Sequence, residues 1–122
     1  MLVLVLVKAT EESEKGIMDT PEIAAMMEEM GRYNDQLIAA GILASETDCN
    51  GLKPSSQGKR VGFDGSNRTV IDGPFAHPRE LVAGYWIWTV KDMNEAVEWV
   101  KRCPNPMSGP SEIEIRPIDN EN

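Results

Sequence analysis

At 122 residues, with 41% hydrophobic and 26% charged side chains, the chain has the size and composition of one soluble domain spanning residues 1–122. Its net charge of −8, with basic neighbours only at Lys59-Arg60 and Lys101-Arg102, argues against a nucleic-acid backbone or an anionic membrane surface as partner. The apolar run Leu2–Val7 is far below the ~20 residues of a membrane span, and two cysteines are too few for a disulfide scaffold, so a cytoplasmic protein with reduced thiols is expected.

Leu2–Val7 alternates Leu and Val without a polar break, the pattern of a strand buried on both faces. Lys8–Asp19 is polar and reads as a loop. Thr20 then caps a helix, Pro21 suits its first position, and Ile23, Met26, Met27, Met30, Leu37 and Ile38 recur at helical spacing up to a stop at Gly41. The methionines, Met18 included, read as core filler. Residues 44–58 are rich in Ser, Gly, Asn and Pro and predict a long loop. Lys59–Phe63 and Arg68–Asp72 predict a hairpin around Asp64-Gly65.

Leu81–Val90 is a second continuous apolar run. Asp92 caps a second helix with Glu95 as its capping-box partner; Met93, Ala96, Val97 and Val100 form its apolar face, and Pro104 ends it. Glu112–Arg116 alternates strictly and predicts a strand with one wet face. The order of elements is that of an α+β, ferredoxin-like βαββαβ fold with an extra hairpin. The first and third main strands, apolar on both faces, are expected in the centre, with the hairpin strand and the last strand at the edges.

Two helices cover only one face of such a sheet, yet Trp86 and Trp88 share one face and Tyr85 and Ile87 the other. Two exposed indoles would approach the roughly 300–600 Å² of the largest apolar patch on a typical monomer. A homodimer, with two copies closing over the uncovered faces, is therefore expected; the alternative is that the long loop folds over that face within one chain.

Three runs carry a family resemblance: Gly51-Leu52-Lys53-Pro54-Ser55-Ser56, Arg60-Val61-Gly62-Phe63-Asp64-Gly65 and Asp72-Gly73-Pro74-Phe75. With Glu80–Ile87, Glu95–Trp99 and Ile113–Pro117, they resemble the DGPF branch of the YCII-related family over nearly the whole chain. The resemblance implies a dimeric α+β barrel. It implies little about activity, since most members have no established function. Some are named in connection with transcription initiation and some accompany sigma-factor genes, while other dimeric α+β barrels are cofactor-free enzymes acting on small organic molecules. Shorter relatives carry a histidine on the first helix, suspected to work with the strand-end aspartate. Here that region reads Gly31-Arg32-Tyr33-Asn34.

Asp72 is the leading chemical candidate. Near Phe75, Trp86 or Trp88 it can serve as a base; alternatively its side chain caps the turn at Gly73-Pro74. His77, an imidazole just after the motif, can shuttle protons or orient a ligand, or it is a solvated loop residue. Lys53, Ser55 and Arg60 can hold an anionic group, or they are polar surface. Arg32 and Tyr33 either face a cavity or cover the helix surface. Phe75, Trp86 and Trp88 would exclude water from a bound molecule. No residue pattern fits a metal, and no nucleotide-binding glycine motif is present, so neither a metal nor a cofactor is expected. Two functions compete: a cofactor-free small-molecule enzyme moving a proton, and a metabolite-sensing or regulatory module.

Overall fold

The computed structural model describes residues 1–16 and 20–119. Met18 lies outside them. A four-stranded antiparallel sheet runs in the order β2-β5-β1-β6, formed by β1 (Leu2–Lys8), β2 (Cys49–Gly51), β5 (Val82–Thr89) and β6 (Ile113–Pro117). That is the ferredoxin-like order, with the two apolar runs as central strands and Glu112–Arg116 giving the outer strand, as the polarity pattern predicts.

The second strand of this sheet is not the hairpin. Cys49–Gly51, inside the segment expected to be loop, pairs with Trp86, Tyr85 and Gly84 of β5. The hairpin strands β3 (Lys59–Asp64) and β4 (Asn67–Asp72) pair only with each other, as a separate two-stranded ribbon. Three residues carry too little alternation to read as a strand, whereas the ribbon's β-branched run announces itself. Gly65, at φ 61, turns the ribbon with a positive φ at its first central residue.

Two long helices lie on one face of the sheet: α2 (Pro21–Ala39) and α3 (Met93–Lys101). A four-residue helix, α1 (Glu11–Glu14), interrupts the segment expected to be loop, capped by Thr10 and Ser13 reciprocally. Thr20 caps α2 through the Ile23 amide, and Gly41, at φ 76, follows its end. Asp92 caps α3 by accepting from the Glu95 amide, and the Glu95 carboxylate accepts in turn from the Lys91 amide.

Val3, Val5, Val7, Trp86 and Trp88 point from the sheet into the core, where Tyr33 and Leu37 of α2 and Ala96 of α3 meet them. The helix faces differ from the apolar spacing. Met27, Ile38 and Val97 are exposed, and Tyr33 and Trp99 take the inward positions. Trp86 and Trp88 are therefore sealed beneath their own helices, at 3% and 0% exposure, and the bare face of the sheet carries other residues.

Candidate functional site

Register places two rows across that bare face. Arg116, Leu4 and Ile87 form one; Glu114, Leu6, Tyr85 and Asn50 form the other. Leu2 stands beside Thr89 at the end. Each row is polar at its β6 end and apolar over the central strands. At the β2 rim the Asn50 amide donates to the Tyr85 hydroxyl at 3.2 Å. At the β6 rim Arg116 donates to Glu114 at 3.2 Å, and Lys8 lies 4.0 Å from Glu114. Among the described residues, the two long helices pack on the opposite face, and Leu4, Leu6 and Ile87 are half-buried.

The Asp72-Gly73-Pro74-Phe75 segment forms a knot at the base of the ribbon. The Glu14 carboxylate accepts from both the amide and the hydroxyl of Ser55, the amide bond being 3.0 Å. Ser55 Oγ in turn accepts from the Phe75 amide at 3.0 Å, and the Gly73 amide donates to the Gly58 carbonyl at 3.0 Å. Gly73 lies so close that any Cβ there would overlap the Ser55 carbonyl oxygen. The Gly73-Pro74 peptide is cis. Arg60 stacks its guanidinium 4.0 Å from the Phe75 ring centre.

Asp72 stands outside the knot. Its carboxylate is exposed and pairs with Lys59, its cross-strand neighbour, so its observed partner is a lysine and not the turn backbone. Trp86 and Trp88 lie in the core and form no wall around it, which corrects the expected neighbourhood. His77 is exposed, with a left-handed backbone at φ 63. It lines an open cleft of about 550 Å³ together with Lys8, Thr10, Glu11, Arg79 and Glu112. Arg79 pairs with Glu112 at 2.6 Å. Asp72 does not line that cleft.

The pair on the first long helix divides. Arg32 is exposed, whereas Tyr33 is 3% exposed and turned into the core, away from any cavity. Its hydroxyl donates to the Trp99 carbonyl at 2.5 Å, and its ring meets Trp86 edge-on at 6.2 Å. Burial, helped by Cys103, pushes the Tyr33 phenol well above its ordinary range. Next to it, Asn34 accepts from Trp86 Nε1 at 2.8 Å. Burial also raises the thiols: Cys49 upward despite a hydrogen bond from Asn34, and Cys103 to about 12. Raised thiols make poor nucleophiles at neutral pH. Lys53 is exposed in the loop between β2 and Ser55.

Sequence reasoning misses Glu14 and the bare-face rows. Glu14 acts on a residue 41 positions away, and no local pattern foretells such a contact. The rows were within reach, because the two-residue period already separates Tyr85 and Ile87 from the indoles. Among the described residues, no group of His, Cys, Asp and Glu is placed to hold a metal ion. Nor is any described helix long and apolar enough to cross a membrane.

The profile of the YCII-related domain matches residues 1–119. The chain belongs to the YCII-related family. An uncharacterised protein of Rhizobium meliloti (strain 1021) is similar to this YCII-related chain, with 21% identity over 108 residues, covering 88% of this chain and 85% of that protein. The match runs through the sheet, both long helices and the ribbon, so the family relation concerns the whole arrangement and not the motif alone.

Proposed function

We propose that this YCII-related protein, of the DGPF type, is a single cytoplasmic domain that works as a homodimer, its two bare sheet faces enclosing a chamber for a small organic molecule. The carrying observation is the apolar centre of the bare face, Leu4, Leu6 and Ile87, framed by Tyr85–Asn50 at one rim and Arg116–Glu114 at the other. Soluble monomers rarely leave a large contiguous apolar patch open to water, and one on the central strands favours a cover. The framing polar groups give a ligand its orientation, an apolar body lying in the middle and a carboxylate or hydroxyl reaching a rim. This supports a binding or metabolite-sensing role, because Asp72 is occupied by Lys59 at the surface.

The experiment joins sedimentation at micromolar concentration with thermal shift across small aromatic and aliphatic acids. We expect a dimer, and stabilisation by some acids that Ile87→Asp abolishes while the chain stays folded. A monomer at all concentrations, or stabilisation unchanged in Ile87→Asp, would count against the reading.

One observation favours an enzyme as second reading. His77 holds a left-handed backbone, uncommon outside glycine, in a cleft with Lys8 and Arg79. There it could pass a proton, with Arg79 and Lys8 available to an anionic substrate once they leave Glu112 and Glu114. His77→Gln abolishing turnover of a ligand that still binds would establish that role; unchanged turnover would remove it.

A further inference from the structure

Among the described residues, the ribbon of β3 and β4 pairs with no further strand. All twelve residues of its strands are exposed, among them Val61 at 49%, Phe63 at 74% and Val70 at 63%. These three share one face with Arg68, whose guanidinium lies 4.5 Å from the Phe63 ring centre. A two-stranded hairpin alone is marginal in water. Here the ends are clamped by the Glu14–Ser55–Phe75 knot, yet the apolar face is uncovered.

We propose that the ribbon is an exchanged arm: in the homodimer it lies against the other copy's bare sheet face and lends Phe63 and Arg68 to the chamber there. This rests on the dimer reading above. Area supports it. Four strands spaced ~4.8 Å apart, with about five residues each at ~3.3 Å, project roughly 300 Å². A flat projection understates accessible surface, yet even doubled, to roughly 600 Å², it falls short of the ~800 Å² per partner in a stable interface. The arms supply further apolar surface from Val61, Phe63 and Val70. Reach supports it as well, since six residues extend ~20 Å, about the width of a four-stranded sheet.

Charge permits a second copy despite the acidic chain. Residues 59–72 hold three basic side chains (Lys59, Arg60, Arg68) and two acidic ones (Asp64, Asp72), a net +1. The rest of the chain therefore carries −9 of the total −8. The ribbon is thus a mildly cationic piece of an acidic protein, and the bare face it meets, with Lys8, Glu114 and Arg116, is close to neutral and offers chiefly its apolar centre. The chamber between the two bare faces would then be lined by Tyr85 and Ile87 of both copies and closed at its margins by the cationic, aromatic face of each arm.

The test places photoreactive benzoylphenylalanine at position 63 of the full chain. Isotope-labelled and unlabelled copies are mixed, irradiated and digested, and cross-linked peptides are mapped. We expect links between labelled and unlabelled chains, joining position 63 to residues 2–8, 82–89 or 113–117. Separately, the double variant Phe63→Ser, Val70→Ser should raise the dimer dissociation constant at least tenfold with the fold intact. Links confined to one chain, or running from arm to arm, in a sample that sediments as a dimer would overturn the arm while leaving the dimer standing. A sample that never dimerises would overturn both.

Discussion

Lys59 and Asp72 close the base of the ribbon where water screens them, and an exposed pair of this kind is worth ~0–1 kcal/mol. Asp72→Asn should therefore lower stability by less than about 1 kcal/mol in urea unfolding. A much larger loss would show that the carboxylate has a second, stronger partner. The glycine beside it is another matter. Gly73→Ala drives a methyl group into the Ser55 carbonyl, and overpacking of that sort costs about 1–3 kcal/mol. The measured difference between these two variants would show that the motif is held by shape and only weakly by charge. Asp72 and Phe75 stood out as chemical candidates because an acid and a ring adjoin in sequence. They take different partners, because strand register sets Asp72 opposite Lys59 while Arg60 covers Phe75.

The helices and central strands could be read from the chain because their signals are local: caps at Thr20 and Asp92, a stop at Gly41, and apolar runs too long to face water on either side. Their inward faces were harder. Tyr33 replaces an expected methionine because its ring fits edge-on between Trp86 and Trp99 while its hydroxyl finds a carbonyl. The short strand Cys49–Gly51 and the helix Glu11–Glu14 carry almost no periodicity, and tertiary contacts alone define them. The latter makes one far-reaching contact. Glu14→Ala removes both acceptors of Ser55, so we expect a loss of ~1.5–3 kcal/mol. Limited proteolysis should then cut faster within residues 52–58, and a cleavage pattern identical to the parent chain would contradict the tether.

In the protein taken entire, the half-buried thiols and the Tyr33 phenol give stability an alkaline limit. Burial raises Cys103 from its ordinary 9.0 to about 12, so the folded chain holds this proton more tightly than the unfolded one. Below pH 9 both forms are protonated and the contribution is full; between pH 9 and 12 the unfolded form ionises first, and stability falls as pH rises. Cys103→Ala should flatten that slope in urea titrations at pH 8, 9.5 and 11. An equally steep slope in the variant would assign the loss to Tyr33 and Cys49, which shift in the same direction.

The knot at Ser55 divides the chain into a fixed chassis and an extension. Glu14, Ser55, Gly58, Gly73 and Phe75 hold the root of the ribbon without help from its tip at Gly65-Ser66. Residue pairs can be added or removed beyond the root without disturbing a single bond in the body. The length of the extension is thus free to change, a hairpin step at a time, while the chassis stays the same.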